Sequence, residues 1–392
     1  MRGVPALRAA LARLSAARLT RERLTVEGYG ASGERALRTA HGTLVDFSSN
    51  DYLGLARHPA LAAAMAASAH ARGAGSGASH LVTGHGAEHA ALEAELAEFT
   101  QRERALLFSS GYMANLAVMT AFAGRGERVL LDRLSHASLI DGARLSGAQL
   151  KRYAHADAAS CARLAASAGA PAALIGTDGV FSMDGDLAPL RELARSASAH
   201  EAWLAVDDAH GLGVLGAGGR GTLELQALSA AEVPLLIGTL GKAFGSYGAF
   251  VAGAAEVIEF LMQHARTYTY TTALPQPVAA ASRAALALVR AEGWRRERLA
   301  ANVARFKELA ASAGLRLLPS DTPIQPLILG SAAAALEAQA GLARAGYRVV
   351  AIRAPTVPRG QARLRIALGA THTDAQIAGL VGALVSACMG SP

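Results

Sequence analysis

Short apolar runs alternate with Ala- and Leu-rich stretches of helical periodicity from about residue 104 onward. This alternation predicts a mostly parallel sheet covered by helices, because a crossover helix follows each buried strand. Continuous apolar runs such as 203–206 favour strands that are buried on both faces. The predicted strands are 104–108, 128–132, 172–177, 202–207, 234–239 and 248–252.

A second pattern follows a long helical region at 277–312. It predicts a smaller α+β unit with a helix at 331–345, and its strands are 324–329, 347–352 and 362–368. The residues before the first pattern are expected to form an arm or a helix. We therefore predict an N-terminal arm at 1–45, a large α/β domain at 46–280 and a small C-terminal α+β domain at 281–392.

The composition narrows the classes of partner. Hydrophobic residues make up 52% of the chain and charged residues 18%, which favours a folded globular protein over a disordered one. The net charge of +7 would permit binding to nucleic acid, but no Lys/Arg run is present and aromatic residues make up only 5%. We therefore expect no nucleic-acid partner.

Cysteine use and hydropathy indicate the compartment. Only Cys161 and Cys388 occur, without a pairing pattern, which favours a reducing compartment such as the cytoplasm. No apolar run reaches the roughly 20 residues of a membrane helix, so no membrane span is expected. The first 21 residues are Arg-rich and lack acids, a pattern shared by targeting peptides and by packed N-terminal helices.

Lysine is rare in this chain, and one lysine has an unusual setting. Of 38 basic residues only Lys151, Lys242 and Lys307 are lysines. An amine can form an imine with a carbonyl compound, whereas a guanidinium cannot. Lys242 lies in IGTLGKAFG, residues 237–245, where a predicted strand ends and glycines leave room for a bulky group. A surface lysine is the alternative, but the setting predicts a Schiff base between Lys242 and pyridoxal 5'-phosphate (PLP).

Polar residues at other strand ends fit the same cofactor. Asp207 ends an apolar strand, and a buried carboxylate needs a cation, which a protonated pyridine nitrogen would provide. The turn at 108–112 opens a helix whose N–H groups can bind a phosphate; Ser109 or Ser110 could also cap that helix, and the two roles are compatible. His136 follows a further strand and could lie on the ring face, although a single histidine is more commonly structural.

Three other motifs indicate different sites and are rejected on context. Residues 85–89 match the HxxEH zinc pattern, but glycines precede the second histidine where the helix should already be regular. Residues 211–216 spell GxGxxG, yet more glycine-rich loop follows instead of a helix. The glycine-rich segment 72–77 lacks the end of a P-loop and suits a close approach to a ligand or a plain turn. No metal is expected.

Five segments together resemble the α-oxoamine synthase family of fold-type I PLP enzymes, and the likeness covers nearly the whole chain. The segments are FSSNDYLG at 47–54, GSGASHLVTG at 75–84, DRLSHASL at 132–139, FSMDGD at 181–186 and AIRAPTVP at 351–358. The resemblance implies an α/β fold of the fold-type I PLP-dependent transferases. It has a large domain with a mostly parallel seven-stranded sheet and a smaller C-terminal α+β domain.

The resemblance also assigns site residues. It implies that Lys242 holds PLP, that Asp207 pairs with the pyridine nitrogen and that His136 stacks on the ring. His210 and Ser182 would contact the phenolic oxygen side. The residues expected near the phosphate are Gly111, Tyr112 and Thr239, with Thr271 or Thr272 from a second subunit. Arg365 and Asn50 would bind the amino-acid carboxylate, and Arg21 and Thr356 would meet the acyl substrate.

The implied reaction is the condensation of L-alanine with a pimeloyl thioester, on coenzyme A or an acyl carrier protein, with loss of carbon dioxide. Lys242 would remove the α-proton, His136 would donate toward the developing oxyanion, and the enzyme would be a homodimer. Two departures leave an alternative open. Asp178 stands where the alanine-using members often have Glu, and the segment 238–243 is also similar to the members that use glycine and acetyl-CoA.

Overall fold

The computed structural model describes residues 3–31, 34–40 and 42–389, and this part of the chain divides into two compact units. The larger unit comprises Asp51–Ser182 and Asp186–Glu297. The smaller unit comprises the described residues up to Asn50, Met183–Gly185 and the described residues from Arg298 onward. The boundaries predicted for folding domains, at 1–45, 46–280 and 281–392, stay a prediction.

The strands are numbered along the chain. They are β1 Gly28–Tyr29, β2 Ala36–Thr39, β3 Gly42–Asp46, β4 Arg104–Phe108, β5 Arg128–Asp132, β6 Gln149–Tyr153, β7 Ala172–Asp178, β8 Trp203–Asp207, β9 Leu235–Thr239, β10 Ala249–Gly253, β11 Ile324–Gly330, β12 Tyr347–Arg348, β13 Val350–Ile352 and β14 Ala362–Ala367.

The α-helices are numbered in the same way. They are α1 Val4–Ala16, α2 Pro59–Arg72, α3 Ala87–Thr100, α4 Gly111–Ala121, α5 Ala137–Leu145, α6 Ala158–Ala166, α7 Leu190–Ala199, α8 Thr222–Leu225, α9 Ala255–His264, α10 Arg266–Thr269, α11 Gln276–Ala291, α12 Trp294–Ser312, α13 Ala332–Arg344 and α14 Asp374–Met389. None of the described helices is long and apolar enough to cross a membrane.

The larger unit is built on a seven-stranded sheet in the order β4-β10-β9-β8-β7-β5-β6. Neighbouring strands from β9 to β6 are parallel, while β10 is antiparallel to both β4 and β9. Therefore β4 runs in the same direction as β9, and all strands except β10 end at one edge. The mostly parallel sheet predicted from the apolar runs is confirmed.

Burial explains why these runs become central strands. Every residue of β5 is buried, and in β8 Leu204, Ala205 and Val206 have no exposed surface. Trp203 differs from the expectation, since 38% of its surface is exposed at the start of β8. The buried face of α4, with Ala114, Ala117, Val118 and Met119, belongs to the hydrophobic core that also includes side chains of β4, β5 and β9.

Three features were not predicted correctly. The strand β6 was missed because its sequence, QLKRY, is polar, which its position at the edge of the sheet beside β5 tolerates. The single strand expected at 347–352 is two strands, since β12 pairs with β3 and β13 pairs with β14. The N-terminal arm contains α1 but also β1, β2 and β3, so the expectation of an arm or a helix was incomplete.

The smaller unit contains two sheets. One has the order β11-β14-β13 and is antiparallel, and the other has the order β1-β2-β3-β12. All six residues of β14 are buried, which fixes the side chains of Arg363 and Arg365 in a protein interior. The expected α+β architecture with the helix α13 is therefore observed in this unit.

The turn after Lys242 requires glycine at position 245. Gly245 has φ +62°, and a Cβ there would lie 2.3 Å from the Ala56 backbone nitrogen and 2.5 Å from the Leu55 carbonyl carbon. Backbone atoms of a packed loop cannot yield to such a contact at low cost. The turn that presents Lys242 is therefore held against the segment 55–56.

We predict that Gly245→Ala lowers the free energy of unfolding by more than about 3 kcal/mol. Gly77→Ala is the matched control, because Gly77 has φ +71° and a Cβ there would meet nothing within 4 Å. In the control the free energy of unfolding should fall by only about 1 kcal/mol, the cost of placing alanine in a left-handed backbone conformation. Urea denaturation measures both, and equal losses would show that the contact with the segment 55–56 does not constrain the turn.

Candidate active site

The polar residues singled out in the sequence gather at one edge of the seven-stranded sheet. Asp207 is the last residue of β8, and Lys242 lies three residues beyond the end of β9. His136 follows β5 and is the N-cap of α5, and Gly111 begins α4 just beyond β4. Because these strands all end at the same edge, the larger unit brings the predicted cofactor residues into one region.

Lys242 is held by a short hydrogen-bonded chain of side chains. Its Nζ lies 2.8 Å from Nε2 of His210, and Nδ1 of the same ring lies 2.7 Å from the hydroxyl oxygen of Tyr52. An ammonium only donates, so a protonated Lys242 makes Nε2 the acceptor and leaves Nδ1–H to donate to Tyr52. Tyr52 is fully buried and was not singled out, although it lies in the segment 47–54 that carries the family resemblance.

Asp207 is one of several buried carboxylates at the sheet edge. Its oxygens accept hydrogen bonds from Asn115 Nδ2 at 2.6 Å and from the Ala209 N–H at 3.1 Å. Asp178 lies directly opposite Asp207 in the register of β7 and β8, and Asp208 follows in the chain. Burial, and then the charge of Asp207, raise the pKa of Asp178; burial chiefly raises the pKa of Asp208 to about 7.

The buried carboxylates at the sheet edge show whether the charge of the site suits PLP. Asp178 and Asp207 are 4% and 7% exposed, and the charge of Lys242 opposes the rise in the pKa of Asp178. A further cation would stabilise such a group of acids, since an uncompensated buried charge is costly. A protonated pyridine nitrogen is a cation of this kind, so the chemistry of the acids fits the cofactor.

His136 is fixed at both its backbone and its ring. Its N–H donates to Asp178 Oδ2 at 3.0 Å, and its Nδ1 lies 2.6 Å from Ser138 Oγ and 3.3 Å from the Ser138 nitrogen. His136 is an exposed residue. Surrounding atoms nevertheless exclude water from part of the ring and lower its pKa, while the charge of Asp207 opposes this shift.

The N-terminus of α4 has the features of an anion site. Ser110 is the N-cap and accepts a hydrogen bond from the Met113 N–H at 3.3 Å, so the capping role is realised. The first N–H groups of a helix have no acceptor within it, and a Cβ at Gly111 would meet nothing within 4 Å. A phosphate can therefore approach this backbone closely.

Two other residues predicted for the phosphate region, Thr239 and Tyr112, have side-chain partners within the chain. Thr239 Oγ1 donates to the Gly248 carbonyl at 3.1 Å and accepts from the Gly241 N–H at 3.2 Å, which shapes the turn before Lys242. Tyr112 Oη donates to Asp141 Oδ2 at 2.5 Å and is largely exposed. The roles predicted for Thr239, Tyr112, Ser182, Thr271 and Thr272 stay predictions.

The residues predicted to bind the amino-acid carboxylate and those predicted to meet the acyl substrate, apart from His136, lie in the smaller unit. Arg365 on β14 is 6% exposed, and its Nη2 donates to Asn50 Oδ1 at 3.1 Å. Arg21 donates to Thr356 Oγ1 at 3.5 Å. The two predicted pairs are therefore brought together, although 315 and 335 residues separate their members in the sequence.

The HxxEH motif does not form a regular helical pair, because α3 begins at Ala87 and His85 precedes it. His80, His85 and His89 do lie together, with one ring nitrogen of each within 4.8 Å of the others. However, both nitrogens of His89 have partners, since Nδ1 accepts from the Gly86 N–H at 2.9 Å and Nε2 donates to the Leu274 carbonyl at 2.6 Å. The arrangement is explained as a hydrogen-bonded N-cap of α3.

His155 joins two segments of the site and was missed in the sequence. Its Nδ1 lies 2.9 Å from Asp132 Oδ1, and its Nε2 lies 2.8 Å from Asp186 Oδ2. Asp132 also accepts from the Leu134 N–H at 2.7 Å and so shapes the turn that leads to His136. Burial alone would lower the pKa of His155, but the hydrogen bonds to both carboxylates outweigh it and raise the pKa to about 10.

We predict that His155→Gln destabilises the protein in a pH-dependent way. The pKa of His155 is about 6.5 in the unfolded protein and about 10 in the folded protein. The charged ring therefore contributes its full stabilisation below about pH 6.5, and this stabilisation is lost as the pH rises to about 10. The variant should lose about 3 kcal/mol at pH 6 and much less near pH 10. Urea denaturation at both pH values tests this, with the exposed His70→Gln as control. An equal loss at both values would contradict the charged bridge.

Comparisons with known proteins identify the family of this chain. The family described as aminotransferase class I and II matches residues 42–384. A relative from Methylococcus capsulatus, named 8-amino-7-oxononanoate synthase, is 61% identical over 343 residues, which cover 88% of this chain and 89% of that protein.

Solved structures support the fold. A serine palmitoyltransferase from S. paucimobilis with a bound PLP–myriocin aldimine has a TM-score of 0.92 at 30% identity, covering 98% of this chain and 97% of that chain. An 8-amino-7-oxononanoate synthase from Francisella tularensis has a TM-score of 0.77 at 33% identity, covering 87% and 96%. The predicted fold class and cofactor are confirmed. The chain therefore belongs to the class I and II aminotransferase family and is a PLP-dependent enzyme with the type I fold.

Proposed function

We propose that this enzyme is an 8-amino-7-oxononanoate synthase of biotin biosynthesis, which condenses L-alanine with a pimeloyl thioester and releases carbon dioxide and a free thiol. The observation that carries the proposal is the placement of the Lys242 amine at the same sheet edge as the buried Asp207 carboxylate. The name of the relative at 61% identity supports the choice of substrates.

The residues of the larger unit have distinct roles toward the cofactor. When bound, PLP supplies an aldehyde that takes up an amino group and a protonated ring that accepts an electron pair from the substrate. Asp207 would hold the ring nitrogen, Lys242 the aldehyde carbon and His136 the ring face. His210 and Ser182 would contact the phenolic oxygen side. The phosphate would be bound by Gly111, Tyr112 and Thr239, and by Thr271 or Thr272 of a second subunit.

Lys242 acts next as the base for the α-proton of alanine. An amine can take a proton only when it is neutral, so the group that holds Nζ influences this step. His210 lies within hydrogen-bond distance of Nζ and is itself held by Tyr52, which keeps the amine directed and offers a route for its proton. The pair His210–Tyr52 therefore positions the base.

Arg365 is the predicted partner of the alanine carboxylate. A guanidinium presents its donors in a planar fork that matches a carboxylate, and the bond to Asn50 Oδ1 orients this fork. Lysine at this position would supply charge without the fork. Arg21 and Thr356 are proposed to contact the acyl substrate.

The proposal extends to the acyl donor, the oligomeric state and the compartment of the enzyme. The acyl group arrives on coenzyme A or on an acyl carrier protein, both of which are acidic and suit a chain of net charge +7. We further propose a homodimer with the active site at the subunit interface, working in the cytoplasm without nucleic acid or membrane partners.

A second candidate is a glycine C-acetyltransferase, which uses glycine and acetyl-CoA. It is favoured by Asp178, which stands where the alanine-using enzymes often have Glu and which accepts the His136 N–H. A substitution there can shift the position of His136 and so alter the room left for the amino-acid side chain. The cofactor chemistry is the same in both candidates.

We predict that the purified enzyme with PLP releases thiol from pimeloyl-CoA with L-alanine, at a rate at least about 100-fold above that with glycine and acetyl-CoA. Such a ratio corresponds to about 2.7 kcal/mol of preference at the transition state. The assay crosses both amino acids with both thioesters and with pimeloyl-acyl carrier protein. Turnover confined to glycine and acetyl-CoA would replace the first candidate by the second.

A further inference from the structure

Asn115 connects the carboxylate of Asp207 to a serine beside His136. Its Nδ2 lies 2.6 Å from Asp207 Oδ2 and 2.8 Å from Ser138 Oγ. A carboxylate only accepts, so the NH₂ side of the amide must face Asp207, and the second hydrogen of the same nitrogen then points to Ser138. Asn115 is 1% exposed and Ser138 is fully buried. Water therefore does not compete for these hydrogen bonds, and their donors and acceptors stay fixed.

The direction of the next hydrogen bond follows from the first. The Ser138 hydroxyl accepts from Asn115 and is fully buried, so its own hydrogen needs a protein acceptor. Among the described residues Nδ1 of His136, 2.6 Å away, is the acceptor within hydrogen-bond distance. The Ser138 backbone N–H, which can only donate, lies 3.3 Å from the same nitrogen. Two donors thus face Nδ1, and a nitrogen that accepts hydrogen bonds does not carry the proton of a neutral imidazole.

We propose that Asp207, acting through Asn115 and Ser138, fixes the tautomer of His136, so that the neutral ring carries its proton on Nε2 and serves as a hydrogen-bond donor. Asn115 and Ser138 are positioning residues in this proposal. The proposal deepens the function given above and rests on it for the identity of the substrate that receives the bond.

The fixed tautomer gives His136 a definite task. In the attack on a thioester, the carbonyl oxygen becomes an oxyanion, which an N–H group stabilises and a lone pair repels. With the proton on Nε2, His136 presents the donor without a change of protonation. Burial around the ring lowers its pKa, which keeps it neutral near pH 7. Asp207, which is assigned to the ring nitrogen of the cofactor, would therefore also fix the tautomer of His136, which is assigned to the acyl carbonyl.

The test is nitrogen NMR of the PLP-loaded protein labelled with ¹⁵N-histidine, with the His136 signals assigned by their absence in His136→Gln. We expect Nε2 to be protonated and Nδ1 to be unprotonated. Ser138→Ala removes the hydroxyl donor and should change the ratio of the tautomers about tenfold toward Nδ1–H. Ser138→Thr should restore the wild-type ratio, because it keeps a hydroxyl.

Enzyme kinetics provide a second test of the role of Ser138. Ser138→Ala should lower kcat for thiol release about tenfold while KM for alanine stays the same, and Ser138→Thr should recover most of the rate. Ser135→Ala is the matched control. Ser135 precedes His136, and its hydroxyl is buried without a hydrogen-bond partner among the described residues. It should leave the tautomer ratio unchanged.

Two results would overturn the proposal: a proton on Nδ1 in the wild-type protein, or an unchanged tautomer ratio in Ser138→Ala. The wild-type spectrum decides the first point even if a variant fails to fold. Failure of the proposed function looks different. In that case the tautomer is as expected, while no thiol is released from any pimeloyl thioester with alanine.

Discussion

The burial of Asp207 at the carboxyl end of β8 is the constraint on which the rest of the site depends. Its charge is removed from water beside two further carboxylates, Asp178 and Asp208, and the register of the sheet prevents Asp178 from moving away. Such a group is stable only with opposing charge and with donors directed at it. Lys242, Asn115 and the Ala209 N–H supply part of this, and a cofactor with a protonated ring nitrogen completes it.

The predicted cofactor residues come from the ends of several strands, because these strands end at the same edge of the seven-stranded sheet. Several strands deliver polar groups where their apolar runs stop, and the turns that follow set the direction of these groups. The β9 turn presents Lys242, with Gly245 packed against the segment 55–56. The β5 turn presents His136 and is braced by the bridge of His155 between Asp132 and Asp186. Rigid strands thus position side chains that loops alone would leave mobile.

Sequence patterns were sufficient where a residue's role depends on its near neighbours in the chain. Asp207 was found because a carboxylate directly follows an apolar strand, and Lys242 because lysine is rare and glycines flank it. Asn115 and His155 were missed, since their partners lie 23 to 92 residues away and only the folded sheet brings them together. The pair Arg365–Asn50 came from family resemblance, because no local pattern links residues 315 apart. The edge strand β6 was missed because it lacks an apolar run.

Borohydride reduction of the PLP-loaded protein, followed by mass spectrometry of its peptides, determines whether Lys242 holds the cofactor. Reduction attaches the cofactor permanently to the lysine that binds it, and the chain has only Lys151, Lys242 and Lys307 to choose from. Lys151 lies on the edge strand β6, and Lys307 forms an ion pair with Asp321. We expect one pyridoxyl group, on Lys242; a pyridoxyl group on either of the other lysines, or none on any of the three, would show that Lys242 does not hold the cofactor.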